Sequence, residues 1–211
     1  MRRCFLKKKQ VHASEQKRED VAQARKEWKE KQENHVELPV DKLVFLDESG
    51  VNIDMVRRYG RAKNKNRVND YAPVNTPKKT TLVSSVRLDG TQAYEFFQGS
   101  LNGKNFLSYV KNTLIPTLKK GDIVVMDNLS CHKVKGVKEA IEEAGASVLY
   151  LPPYSPDFNP IEMMWSKMKT LLPNWKTDTP ELLHSVIPDA FSSVSVSDIS
   201  GWFTASGYCS S

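Results

Sequence analysis

Two kinds of segment alternate along the chain. Residues 43–47 (LVFLD) and 122–127 (DIVVMD) contain short unbroken apolar runs that end on an acid, the pattern of strands buried on both faces. Residues 80–88 (TTLVSSVRL) are rich in β-branched side chains, Asp89-Gly90 marks a two-residue turn, and residues 91–98 (TQAYEFFQ) return as the partner strand. A further apolar run predicts a strand over 147–151. Between these the period changes. Phe106, Val110 and Leu114 share one face of a helix predicted over 105–118, and further helices are predicted over 133–144, 160–172 and 178–191. The order strand, hairpin, helix, strand, helix, strand, helix predicts a mixed α/β sheet flanked by helices. The Ser-rich end, 192–211, is expected to be loosely ordered.

Residues 14–33 contain no Gly or Pro, and Val21, Ala24 and Trp28 form a thin apolar stripe on a mostly charged helix. The pattern predicts a basic helical extension over residues 1–38, a main domain over 39–191 and a tail over 192–211. Such a helix is either solvated and laced with ion pairs or a connector that leans on phosphates.

Composition narrows the class. Of 211 residues, 39% are hydrophobic and 27% charged, which supports one core and excludes a collagen-like or wholly disordered chain. No window of 18 residues is apolar enough to cross a membrane as a helix, and the basic start lacks the apolar stretch of a secretory signal. Cys4, Cys131 and Cys209 are scattered and form no C-x-x-C pair, so neither a disulfide framework nor a zinc site is expected, and the chain reads as cytosolic.

The net charge of +6 is unevenly placed. Residues 57–79 carry 8 basic residues and 1 acidic one, broken by Gly60, Pro73 and Pro77. Arg57, Arg58, Tyr59, Arg61, Lys63, Lys65 and Arg67 thus combine cations with an aromatic, which suits backbone contact and base stacking on nucleic acid better than a merely solvated loop.

Three acids carry the candidate chemistry. An apolar strand that delivers an acid at its carboxyl end places it on the sheet rim, where α/β folds do their chemistry. If the two strands are neighbours, Asp47 and Asp127 approach within a few ångströms and repel unless a proton or a cation intervenes. A hard divalent ion such as Mg2+, which takes carboxylate and phosphate oxygens, resolves that repulsion. Asn159-Pro160-Ile161-Glu162 opens the last strong helix, with Asn as a cap, Pro at its first position and Glu162 able to close a capping box. Glu162 in that first turn can equally reach a cation held by the two aspartates.

The segments FLDESG, VVMDNLSCHK and YLPPYSPDFNPIEMMWSKMK resemble the catalytic domain of IS630-type transposases, relatives of the Tc1/mariner group. The 34 residues between Asp127 and Glu162 match the spacing of that superfamily's acidic triad. The resemblance runs from about His12 to Tyr208 and implies an RNase H-like fold with Asp47, Asp127 and Glu162 as catalytic metal ligands. It further implies two-metal phosphoryl transfer with Mg2+, for which Mn2+ can substitute. The implied reaction is cleavage of double-stranded DNA at inverted repeats, followed by joining of the 3′ ends to target DNA, usually at TA. A bacterial, nucleoid-associated protein and a homo-oligomer are implied with it.

Family members normally begin with helix-turn-helix domains, and none fits before His12. A second reading frame, a truncated copy, or an upstream helix-turn-helix subunit or frameshift-fused domain is therefore expected. Two alternatives stand beside the transposase reading: a non-catalytic regulatory fragment that binds DNA, and a nuclease or resolvase on the same fold.

Neighbouring residues carry further expectations. His132 and Lys133 follow Asp127 and are candidate DNA contacts, although a loop histidine is more often a hydrogen-bonded scaffold residue. Glu48 is expected on the opposite face of its strand from Asp47. Asp157 is a weaker candidate for the third acid, and Trp165, three residues after Glu162, is expected in the core. The chain lacks the G-K-[ST] ending of a P-loop, H-E-x-x-H and G-x-S-x-G, which removes ATPase, zincin and serine-hydrolase readings.

Overall fold

The structure, a computed structural model, describes residues 13–34, 37–51, 79–172 and 179–209. Its elements are α1 (Glu19–Glu33), β1 (Leu43–Val51), β2 (Thr80–Arg87), β3 (Gln92–Gln98), α2 (Gly103–Tyr109), β4 (Ile123–Met126), α3 (Val137–Glu143), β5 (Ser147–Tyr150), α4 (Ile161–Leu171), α5 (Pro180–Ser192) and α6 (Val196–Ala205). The strands form one sheet in the order β3-β2-β1-β4-β5. β1, β2 and β3 pair antiparallel, whereas β4 runs parallel to β1 and to β5. The mixed sheet predicted from the sequence is thus present.

Strand alternation explains the unbroken apolar runs. Leu43 and Phe45 of β1, with Val125 of β4, face a core built with α1, α4, α5 and α6. Val44 and Leu46, with Val124 and Met126, face a second core built with α2 and α3. A central strand covered by helices on both sides has no polar face to show. The hairpin turn is where the sequence places it: Gly90 takes φ +93, and the Asp89 side chain accepts from the Thr91 N–H at 2.9 Å.

Two features lie at the edges of the predicted pattern. The helix expected over 105–118 begins at Gly103, widens into a π-helical turn at Val110–Leu114 and ends as a 3-10 turn containing Pro116. Asp122, just before β4, is fully buried and accepts both guanidinium arms of Arg87, at 2.5 and 3.0 Å. This pair ties the end of β2 to the start of β4, at the opposite end of β4 from Asp127.

The Ser-rich end differs from the expectation of loose order. Ile199, Phe203 and Tyr208 are buried, with Phe203 and Tyr208 packed on Phe45 at ring separations of 5.3 and 4.8 Å. Apolar residues at i and i+4 on α6 override the turn-forming serines around them. Nor is α1 a free basic rod. Trp28 donates from Nε1 to the Tyr208 hydroxyl at 3.1 Å, and Gln32 donates to the Ser206 carbonyl at 2.9 Å. Among the described residues, no helix is long and apolar enough to cross a membrane.

Candidate active site

The parallel register between β1 and β4 sets Phe45 opposite Val125, and two residues further along the chain stand Asp47, within β1, and Asp127, just past the end of β4. Glu162 follows in the first turn of α4. All three acids line one cleft of about 480 Å³, whose walls include Leu129, Pro152, Pro153 and Tyr154. Asp127 does follow the end of β4 and Glu162 opens α4, but β1 continues past Asp47 to Val51, so the first acid stands within its strand and not at its end.

The three carboxyls differ in setting. Asp47 is buried, and burial, Glu162, Glu48 and Asp127 together push its carboxyl well above the ordinary carboxylate range. Trp165 Nε1 donates to Asp47 Oδ2 at 3.2 Å, so α4 delivers both the third acid and a donor to the first. Burial also raises the Glu162 carboxyl, with Asp127 and Glu48 adding to the rise. Asp127 moves the other way. Burial pushes it up, but the His132 ring and the Leu129 N–H outweigh that and hold it below the usual range.

His132, a candidate DNA contact in the sequence, is fully buried in the structure. Its Nδ1 lies 2.8 Å from Asp127 Oδ1 and its Nε2 3.1 Å from Glu48 Oε2, so the imidazole bridges two carboxylates. Burial alone would lower its pKa, yet those two acids raise it to about 9. Glu48 does point away from Asp47, towards this ring, and reaches Asp127 through it. Lys133 is exposed, with Nζ 5.3 Å over the Tyr150 ring. Asp157 is engaged elsewhere, in a bidentate pair with Arg25 at 2.9 and 2.7 Å. Arg57, Arg58, Tyr59, Arg61, Lys63, Lys65 and Arg67 lie outside the described residues.

The expected capping box at Asn159 does not form. Glu162 N–H donates to the Asn159 carbonyl at 3.2 Å, while the Asn159 side-chain oxygen is buried at the cleft without a hydrogen-bond partner. An unpartnered buried oxygen lining the same cleft as three carboxylates makes a set of hard donors that fits Mg2+ or Mn2+. Glu48, Cys131 and His132 also bring donor atoms within 4.8 Å of one another, but Glu48 and His132 already bond each other and the thiol suits a softer ion.

Two parts of this arrangement were not read from the sequence: the indole bond to Asp47 and the imidazole bridge from Glu48 to Asp127. The i, i+3 spacing of Glu162 and Trp165 hinted at the first, because it sets both on a similar helix face. The second joins residues 84 positions apart and left no local signal.

Residues 42–181 match the DDE superfamily endonuclease family. No curated protein matches the chain in sequence. In structure the chain is similar to the catalytic domain of Mos1 mariner transposase, with TM-score 0.70 and 17% identity over 94% of this chain and 93% of that one. It is also similar to the Mos1 paired-end complex with the left transposon end (TM-score 0.74, 16% identity, 96% of this chain and 64% of that one). The mariner Mos1 paired-end complex with Mg gives TM-score 0.77 at 16% identity, covering 99% of this chain and 66% of that one. The chain thus spans about two thirds of those longer proteins and nearly all of the isolated catalytic domain, whose RNase H-like fold it shares. With the match extending from the start of β1 into α5 and taking in all three acids, this chain belongs to the DDE superfamily endonucleases.

Proposed function

We propose that this chain is the catalytic domain of an IS630- or Tc1/mariner-type transposase, cutting double-stranded DNA at the ends of its element and joining them to target DNA at TA. One observation carries the reading: the middle of β1, the end of β4 and the start of α4 bring Asp47, Asp127 and Glu162 into one cleft on the fold of a mariner catalytic domain. Structures of Mos1 with Mn and with Mg support a divalent ion as the cofactor.

Asp47, Asp127 and Glu162 would hold that cofactor, which supplies activation of a hydroxyl nucleophile and stabilisation of the leaving oxygen. His132 and the Leu129 N–H hold the Asp127 carboxyl low and fix where its oxygens point. Burial and neighbouring acids raise the Asp47 carboxyl, a bound cation would favour its ionised form, and Trp165 Nε1 steadies one oxygen. Glu162 sits where the amino end of α4 favours negative charge. The basic residues of 57–79 and Lys133 supply the charge for phosphate contact.

The test is nicking of supercoiled plasmid by the purified chain with Mn2+. Wild type should nick. Asp127→Asn should lose at least 100-fold in rate while keeping its circular dichroism spectrum and melting temperature within a few degrees. Nicking by the variant at the wild-type rate would sink the mechanism, and inactivity of both proteins would favour the regulatory reading.

A further inference from the structure

Tyr154 is the one non-glycine among the described residues with a left-handed backbone, at φ 55. A tyrosine there is strained, and such conformations persist only where surroundings over-determine them. Here α1 and the segment before it supply the constraint. Gln16 Nε2 donates to the Tyr154 carbonyl at 2.7 Å, Arg25 Nη1 donates to Ser155 Oγ at 2.7 Å, and Ser155 Oγ donates to the Pro153 carbonyl at 3.0 Å. The same guanidinium holds Asp157 and lies 4.4 Å over the Phe158 ring.

What this scaffolding achieves is a tyrosine left 47% exposed on the wall of the cleft that holds the three acids. Leu129, two residues after Asp127 and 41% exposed, lines the same cleft, as do Pro152 and Pro153. Only six large hydrophobic side chains are exposed among the described residues, and two of them stand in this cleft. The cleft therefore pairs a polar, cation-binding part with an apolar wall. A nucleotide has the complementary division, a phosphate that follows the cation and a flat base beside it.

A base inside a duplex has both faces covered, so only one withdrawn from the stack can use such a wall. Resting on the DNA-cleaving function proposed above, we infer that Tyr154, together with Leu129, forms a subsite for an unstacked nucleobase next to the phosphate at the acids. A π-face contact of this kind tolerates any base, so the subsite positions the strand without reading sequence.

The experiment uses the full chain with Mg2+ and a duplex carrying an unpaired 2-aminopurine in a 3′ overhang, alongside the blunt duplex. Wild type and Tyr154→Phe should quench the probe. Tyr154→Ala and Tyr154→Gly should lose the quench and bind the overhang about 10-fold more weakly, with blunt-duplex affinity unchanged. Tyr154→Gly, freed of backbone strain, should melt above Tyr154→Ala, which separates loss of the ring from loss of the loop. An unquenched probe with wild type, or wild-type overhang binding by both ring-deleted variants, overturns the subsite. The expected binding pattern in a protein that fails to nick plasmid with Mn2+ would retain the subsite and remove the phosphoryl transfer. Nicking with an undisturbed probe would do the reverse.

Discussion

Replacing Trp165 with Phe separates the packing of α4 from its bond to the buried acid. The indole is 2% exposed and its Nε1 reaches Asp47 Oδ2 at 3.2 Å, while phenyl fills most of the same space and donates nothing. A hydrogen bond to an ionised carboxylate is worth about 1.5–3 kcal/mol. At 3.2 Å the bond is long, so the lower end applies. About 1.4 kcal/mol is tenfold in an equilibrium constant, and Mn2+ should bind the variant up to about 10-fold more weakly at pH below the raised Asp47 value. The smaller ring also leaves a void costing about 1–2 kcal/mol of stability, or about 2–8 °C in melting temperature for a chain of this size.

Calorimetric titration with Mn2+ and thermal unfolding without metal read the two effects separately. The pH dependence fixes the cause. Burial and neighbouring acids already raise the Asp47 carboxyl, and losing a donor to its ionised form raises it further. The affinity deficit should be largest where protons compete best, at low pH, and shrink as pH rises through the raised value. A lower melting temperature with Mn2+ affinity within twofold of wild type at every pH would refute the reasoning and leave Trp165 as packing alone.

Two further outcomes follow. His132 is fully buried and raised from 6.5 to about 9, so the folded, metal-free protein holds that proton more tightly than the unfolded chain. Its contribution, up to about 3 kcal/mol, is complete below about pH 6.5 and lost as pH rises through 9. Thermal unfolding of His132→Gln should therefore fall less than wild type between pH 7 and 9, and equal slopes would contradict the pairing. Arg87→Met strands Asp122, which is fully buried, and should cost about 3–5 kcal/mol in denaturant unfolding, most of it recovered in the Arg87→Met/Asp122→Leu double variant. A single variant as stable as wild type would show that the pair is dispensable.

The strands and helices were legible because the sheet is sandwiched. Runs such as LVFLD have no solvent face, so even short stretches declare themselves, and the acids that close them mark the rim. Asp127 and Glu162 were read for the same reason, at the end of β4 and the start of α4, whereas β1 runs on past Asp47 to Val51, so its apolar run marked the acid without marking a strand end. What escaped depends on contacts between distant residues. Nothing local says that His132 turns inward between Glu48 and Asp127 rather than out towards DNA. The failure of the capping box at Asn159 has the same origin, since a cap and a cleft-lining oxygen are written with identical residues. The C-terminal serines misled because composition suggested looseness, whereas Ile199 and Phe203, four apart, decided the packing.

The bonds between the first and last helical regions bear on the order in which the molecule assembles. The loop before α4 is held by Arg25 from α1 and by the Tyr208 hydroxyl, which donates to the Phe158 carbonyl at 2.7 Å. Tyr208 in turn accepts from Trp28, a partner 180 residues away. Closing loops of that span is slow compared with forming local helices, and it cannot begin until Tyr208 has left the ribosome. The cleft wall is thus among the last parts to be braced. A nascent chain that stops short of Tyr208 would carry all three acids and Arg25 yet lack the tyrosine brace, which delays the final setting of this loop until α6 and Tyr208 have been made.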